Sequence, residues 1–103
     1  MKKKAYRSAK GFIEKQLKDP EIRVHFEEER AKTLIAEMVR SARIRVGLTQ
    51  TELAKRADTT QTVISRIESG ADSRTPSLAL LARIAGACRA HLTFGFQFSK
   101  KAA

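Results

Sequence analysis

Apolar side chains recur every three or four residues through the middle of the chain, which is the spacing of one face of an α-helix. The positions that keep this spacing are Ala31, Leu34, Ile35, Met38, Val39, Ala42 and Val46. Upstream of them, Asp19 can cap a helix and Pro20 fits a first helical position. The pattern predicts one long helix, or two in series, that ends at Gly47.

A short helix is predicted next, over roughly residues 50–57. Thr49 is followed three residues later by Glu52, and this spacing is typical of a capping box at a helix N-terminus. Asp58 and Thr59 then form a tight turn, which joins this helix to the one that follows.

Two more helices are predicted after the turn. Thr60 caps the first, over roughly 61–69, and Gly70 ends it. Ser77 caps the second, which runs to about Ala87. Because five residues make this last helix apolar on nearly all sides, we expect it to be the central buried one: Leu78, Leu80, Leu81, Ile84 and Ala85.

Each end of the chain has its own pattern. Near the N-terminus, Tyr6, Ala9, Ile13 and Leu17 share one helical stripe, which predicts a short helix from Ser8 to Leu17. Near the C-terminus, large apolar residues alternate with small or polar ones, which is a strand signal. The alternating residues are Leu92, Phe94, Phe96 and Phe98.

Charge narrows the choice of partner. The 103 residues include 21 basic and 11 acidic ones, for a net charge of +10. This surplus favours a polyanionic partner, with nucleic acid first and an anionic membrane surface second. No apolar run suggests a membrane span or a secretory signal. The single Cys88 suits a reducing cytoplasm and is expected to be a small buried side chain rather than a reactive thiol.

The two short helices have the residue types that a helix-turn-helix needs. Ala54 is small and lies where the helices would cross, and Asp58 tolerates a left-handed backbone in the turn. The second helix is anchored by Val63, Ile64 and Ile67. Its outer face offers hydrogen-bonding groups to a DNA groove, and these groups belong to Gln61, Thr62, Ser65 and Arg66. In the major groove, arginine can bind guanine and glutamine can bind adenine.

The stretch from Arg43 to Ala87, with the string ARIRVGLTQTELAKRADTTQTVISRIESG, resembles the XRE family of lambdoid phage repressors and Cro proteins. The resemblance implies an all-α, five-helix lambda-repressor-like domain that binds DNA. It implies that Gln50 contacts a phosphate and that Arg43 and Glu68 can form a salt bridge. The expected DNA-binding residues are Gln50, Thr60, Gln61, Thr62, Ser65 and Arg66, with Arg43 and Arg74 near phosphates.

Two segments lie outside such a domain, one at each end. We therefore divide the chain into 1–28, 29–90 and 91–103. Residues 91–103 hold the lone strand and a basic tail; pairing of that strand with its two-fold mate would build a homodimer. Residues 1–28 form a helical extension with apolar side chains that suit a protein partner. The candidate partner-binding residues are Tyr6, Phe12, Ile13, Leu17, Ile22 and Phe26.

This architecture resembles the HigA-like antitoxins of bacterial toxin–antitoxin modules. Such relatives neutralise a RelE/HigB-like mRNA-cleaving toxin and repress their own operon. The resemblance therefore implies a cytoplasmic homodimer with operator DNA and a small toxin as partners, and with no membrane partner. Whether the N-terminal extension binds the toxin, DNA or its own domain remains open at this point.

Two other functions remain open as well. The protein could be a stand-alone regulator without a toxin, or an RNA- or ribosome-binding protein that uses the phenylalanine ladder as a stacking platform. The sequence has no enzyme signature, and we expect no cofactor. His25 and His91 have no carboxylate or cysteine at ligand spacing, so we assign neither to a metal or to catalysis.

Overall fold

The structure, a computed structural model, describes residues 11–12, 14–71 and 74–98. Residues 11–12 and 14–16 are helical, and the four longer elements are the helices α1 (Pro20–Arg45), α2 (Gln50–Arg56), α3 (Gln61–Ser69) and α4 (Leu78–Ala87). Within the described part of the chain, no residue belongs to a strand. The fold is therefore mostly helical, as predicted.

Helix α1 is a single long helix. The Asp19 carboxylate accepts a hydrogen bond of 2.9 Å from the backbone N–H of Glu21, and Pro20 occupies the first turn, as predicted. Beyond its C-terminus, Gly47 has a φ of +73°, which a side chain would strain. Only the second half packs on the domain, because residues 20–31 are all exposed whereas Ala36 and Val39 are buried.

The predicted capping box opens α2. The hydroxyl of Thr49 accepts from the backbone N–H of Glu52 at 3.1 Å, and the Glu52 carboxylate accepts from the backbone N–H of Thr49 at 3.0 Å. The pKa of Glu52 is held below its ordinary value by hydrogen bonds from Thr49, of which the one from the backbone N–H has the largest effect. The reciprocal pair fixes where α2 begins.

The caps of α3 and α4 are also as predicted. The hydroxyl of Thr60 accepts from the backbone N–H of Val63, and that of Ser77 from Leu80. Gly70 ends α3 with a φ of +67°.

The turn between α2 and α3 brings the two helices together. Asp58 has a left-handed backbone with a φ of +54°, as its place in the turn predicts. The backbone N–H of Thr59 donates to the carbonyl of Ala54 at 2.9 Å, and Ala54 is buried at the crossing. A larger side chain at position 54 would force the helices apart.

The core lies between α1, α2, α3 and α4. Its largest fully buried side chains are Val39, Leu53 and Ile64, one from each of the first three helices. Burying each is worth roughly 1.5–3 kcal/mol. This packing holds α3 against the domain by one face and leaves the other face outward.

The prediction that α4 is the central buried helix is wrong. Leu81 and Ile84 are buried, but Leu78 is 60% exposed. Apolar composition does not bury a helix unless other elements cover each face, and the described elements cover only one face of α4.

The predicted C-terminal strand is not shown. Residues 90–98 lie in no regular secondary structure. Leu92 packs against the core, whereas Phe94, Phe96 and Phe98 are 78%, 95% and 81% exposed. A strand needs a neighbouring strand for its backbone hydrogen bonds, and the described residues of the single chain provide none.

The N-terminal predictions lie partly outside the described residues. Tyr6, Ile13 and residues 8–10 of the expected helix over 8–17 fall there, whereas residues 11–12 and 14–16 are helical, as predicted. Of the other candidate partner-binding residues, Phe12, Ile22 and Phe26 are exposed and Leu17 is half-buried.

Candidate nucleic-acid interface

Helix α3 has one buried face and one outward polar face. Ile64 and Ile67 are buried and Val63 is half-buried against the core. On the outward side, Gln61, Thr62 and Arg66 are exposed and Ser65 is half-buried. The structure therefore brings the four predicted groove-facing residues together on one surface, together with the α3 cap, Thr60, which is also exposed.

Two glutamines at the junction of α2 and α3 contact each other. The Nε2 of Gln61 donates to the Oε1 of Gln50 at 2.8 Å. This contact uses one amide N–H of Gln61 and leaves its other N–H and its Oε1 available. One donor and one acceptor are the groups that adenine requires in the major groove.

A salt bridge lies behind this face. Arg43 donates from Nε and Nη2 to the two carboxylate oxygens of Glu68 at 2.7 and 2.9 Å, and from Nη1 to the carbonyl of Leu48 at 2.9 Å. Only 16% of the Arg43 side chain and 5% of the Glu68 side chain are exposed. The hydrogen bond to Glu68 raises the pKa of the Arg43 guanidinium. The salt bridge that the resemblance implied is confirmed.

This salt bridge changes what Arg43 can offer to DNA. Three of the five N–H groups of a guanidinium are engaged by Glu68 and Leu48, and the charge is balanced by Glu68. The Nε2 of Gln50 also lies 3.4 Å from Glu68, so the pair helps to orient Gln50. Contact between Arg43 and a phosphate remains a prediction. In this arrangement Arg43 holds Glu68, which lies beside Gln50.

Cationic side chains lie on both flanks of α3. On one flank, Arg66 and Arg74 line a shallow cleft together with Lys32. On the other flank, Arg40 lines a cleft with Gln50 and Ser65. Phosphate backbones border both sides of a DNA major groove, so cations on both flanks suit a helix that enters the groove.

Arg40 is the residue that sequence reasoning missed. It is exposed, and its side chain makes no hydrogen bond or ion pair with any residue that the structure describes. In the pattern of apolar and polar positions along α1, Arg40 is one more polar residue. Its position beside α3 arises only when α1 packs across that helix, so no local signal could have identified it.

Other kinds of site find no support in the described residues. No group of His, Cys, Asp or Glu there could hold a metal ion. Cys88 is buried, as expected, and burial raises the pKa of its thiol, which disfavours the reactive thiolate. Among the helices described, none combines the length and the hydropathy needed to cross a membrane.

The geometry defines the class: two short capped helices crossing at a small residue, with the second presenting a polar face, form a helix-turn-helix. The sequence model of the helix-turn-helix family matches residues 39–94, more than half of the chain. The protein therefore belongs to this family, of the XRE type, whose members are DNA-binding regulators. A comparison with curated proteins gave no match.

Proposed function

We propose that this protein is a sequence-specific repressor that reads duplex DNA with α3 and also serves as the antitoxin of a type II toxin–antitoxin module. The DNA-binding part rests on one observation above all. The outward face of α3 carries Gln61, Thr62 and Arg66, and Gln61 is already oriented by its 2.8 Å contact with Gln50.

Each side chain has a defined part in this proposal. Arg66 donates to the O6 and N7 of a guanine, and Gln61 pairs with the N6 and N7 of an adenine. Thr60, Thr62 and Ser65 contact neighbouring base edges or phosphates. The phosphates themselves are held by Gln50, Arg40 and Arg74, with the two remaining N–H groups of Arg43 as a further donor.

Two substitutions distinguish contacts to bases from contacts to phosphates. Arg66→Ala should lose roughly 1–3 kcal/mol, mostly as discrimination at one base pair. Arg40→Ala should instead weaken all duplexes alike and lower the salt dependence of binding by about one unit of slope. Arg23→Ala is the matched control, because Arg23 is exposed on the first half of α1 and lines neither the Arg40 cleft nor the Arg66 cleft.

The measurement uses duplexes selected by the full-length protein from a random pool, with affinities for all single-base variants at two or more salt concentrations. If Arg66→Ala weakened every variant equally, Arg66 would be a phosphate contact and the reading proposed for α3 would be wrong. If Arg40→Ala left the salt slope unchanged, Arg40 would not contact a phosphate.

The antitoxin part rests on the exposed first half of α1. Ile22 and Phe26 are exposed there, and the neighbouring acidic residues give this stretch a charge opposite to that of the whole chain: Glu21, Glu27, Glu28 and Glu29. An apolar and acidic helix suits a basic partner. A RelE/HigB-like toxin that cleaves mRNA must bind a polyanion, so its surface has the complementary charge.

Capture of the protein encoded by the adjacent gene tests this part. The double variant Ile22→Glu/Phe26→Glu should lose capture, and so should a variant that begins at Glu27. The control is Ile44→Glu, which changes an apolar residue at the other end of α1 that is more exposed than Ile22 or Phe26. Equal capture by all variants would refute the role of α1 in toxin binding and favour a stand-alone regulator.

The RNA-binding alternative has less support. Phe94, Phe96 and Phe98 are exposed, but aromatic stacking on RNA normally uses a sheet, and the described residues contain no strand.

A further inference from the structure

One face of α1 carries a stripe that its own chain leaves uncovered. Its members follow one another at alternating spacings of three and four residues, which is the spacing of the a and d positions of a coiled coil. All are exposed: Val24, Glu27, Ala31, Leu34, Met38, Ser41 and Arg45. Among them Val24 is 65%, Leu34 48% and Met38 44% exposed. The stripe thus has an apolar centre with an acidic residue towards one end and a basic residue at the other.

The first half of α1 needs a covering partner. Residues 20–31 are helical although every one of them is exposed. A helical stretch of about 12 residues is marginal in water without tertiary packing. An exposed stripe on a projecting helix is therefore expected to pack against another surface.

A groove runs beside the second half of the same stripe. Met38 and Ala42 form one wall, and Ala90 and Leu92 form part of the other. The groove continues along Ser41, Arg45 and Val46 towards Cys88 and Arg89. Its walls are mainly apolar and its rim is basic, so it fits a helix that is apolar and acidic.

We propose that the occupant is α1 of a second copy of this protein, packed antiparallel along the stripe. In this register Leu34 of each copy faces Met38 of the other, and Ala31 faces Ser41. Glu27 of each copy then faces Arg45 of the other, so both ends of the interface pair opposite charges. In the antiparallel arrangement, each residue at position a of one copy also lies opposite a residue at position d of the other, as coiled-coil packing requires.

This register leaves Ile22 and Phe26 of the proposed toxin-binding face free and takes only Glu27 from its acidic residues. Val24 lies two residues from both Ile22 and Phe26, and a displacement of two residues turns a helix by roughly 200°, to the opposite side. The C-terminal segment lines the groove through Leu92 and Thr93. The helix pair, rather than strand pairing, then forms the centre of the dimer.

The Glu27 carboxylate lies 3.6 Å from Arg30 of its own chain. Both side chains of that ion pair are more than half exposed. Exposed ion pairs contribute little to stability, so Glu27 can leave Arg30 and pair with Arg45 of the other copy at little cost.

Charge reversal tests the register. Glu27→Arg alone places two arginines opposite each other at both ends of the dimer, and Arg45→Glu alone places two glutamates there. Each should weaken self-association at least about tenfold at low salt. A mixture of the two variants should restore a dimer, because the mixed dimer pairs opposite charges at both ends. The control is Glu37→Arg, on an exposed position of α1 outside the stripe, which should leave the dimer intact.

The measurement is sedimentation equilibrium of the full-length proteins, with circular dichroism to show that each variant keeps its helices. A wild-type dimer, two monomeric variants and a dimeric mixture support the proposal. A monomeric wild type, single variants that remain dimers, or a mixture that remains monomeric would overturn it. DNA binding is measured separately on a duplex that carries a single half-site. Failure of the dimer proposal therefore leaves the proposed role of α3 unaffected.

Discussion

The salt bridge between Arg43 and Glu68 offers the sharpest test of how the recognition face is held. Glu68→Gln keeps the shape of the side chain but removes the charge opposite Arg43, whose side chain is only 16% exposed. Removing one partner of a buried pair typically costs about 3–5 kcal/mol. Because Arg43 keeps its bond to the carbonyl of Leu48 and some access to water, we expect a loss of about 2–3 kcal/mol.

The reverse substitution, Arg43→Met, should cost about 3 kcal/mol or slightly more. It leaves the Glu68 carboxylate, with a side chain only 5% exposed, with Gln50 at 3.4 Å as its remaining partner. The double variant Arg43→Met/Glu68→Gln removes both charges together. It should cost less than the sum of the two single changes, because the second change no longer leaves a buried charge without its partner.

The assay is urea denaturation followed by far-ultraviolet circular dichroism at one fixed protein concentration, since self-association would shift the midpoint. Glu37→Gln is the control, because Glu37 is exposed and its change should stay within about 0.5 kcal/mol. If the costs of the two single variants simply added in the double variant, Arg43 and Glu68 would not stabilise the fold as a pair. The positioning role assigned to Arg43 would then be wrong.

Three further predictions concern the fold. Thr49→Ala should destabilise the protein by about 1 kcal/mol through loss of the α2 cap. Hydrogen bonds from Thr49 lower the pKa of Glu52 in the folded state, so their stabilisation is present at neutral pH and lost as pH falls below the ordinary value of 4.5. Thr49→Ala keeps the backbone N–H and removes only the part of this effect that the hydroxyl supplies, so the acid slope of urea midpoints should be slightly shallower. Gly70→Ala should cost about 1–2 kcal/mol, because φ is +67° there; an unchanged urea midpoint would contradict that strain. Leu53→Ala should cost about 2–5 kcal/mol by calorimetry, since this side chain is fully buried, and a loss below that range would mean that the core closes around the cavity.

The helix boundaries were predictable because they depend on local chemistry. Asp19, Thr49, Thr60 and Ser77 each satisfy backbone N–H groups within three residues of themselves, so a short string of sequence contains the whole interaction. The outward face of α3 was predictable for a similar reason, since one helical period separates its anchors from its polar residues.

Features that join distant parts of the chain were not predictable in this way. Arg40 reaches the flank of α3 only through the packing of α1, and the contact between Gln50 and Gln61 depends on the angle at which α2 meets α3. The C-terminal alternation at Phe94 and Phe96 predicted a strand, but alternation cannot supply the neighbouring strand that a ladder needs. The Arg43–Glu68 pair was anticipated from the family resemblance rather than from spacing.

The central claim is that Arg66 reads a guanine from α3. It is tested most directly by replacing each guanine of the selected duplex, one at a time, with 7-deazaguanine, which lacks the N7 acceptor. Wild-type protein should lose affinity strongly at one guanine, and Arg66→Ala should show no further loss there, because the same hydrogen bond has already been removed. If the loss at every guanine were the same for wild type and for Arg66→Ala, Arg66 would not contact a guanine N7, and the proposed reading of DNA by α3 would be contradicted.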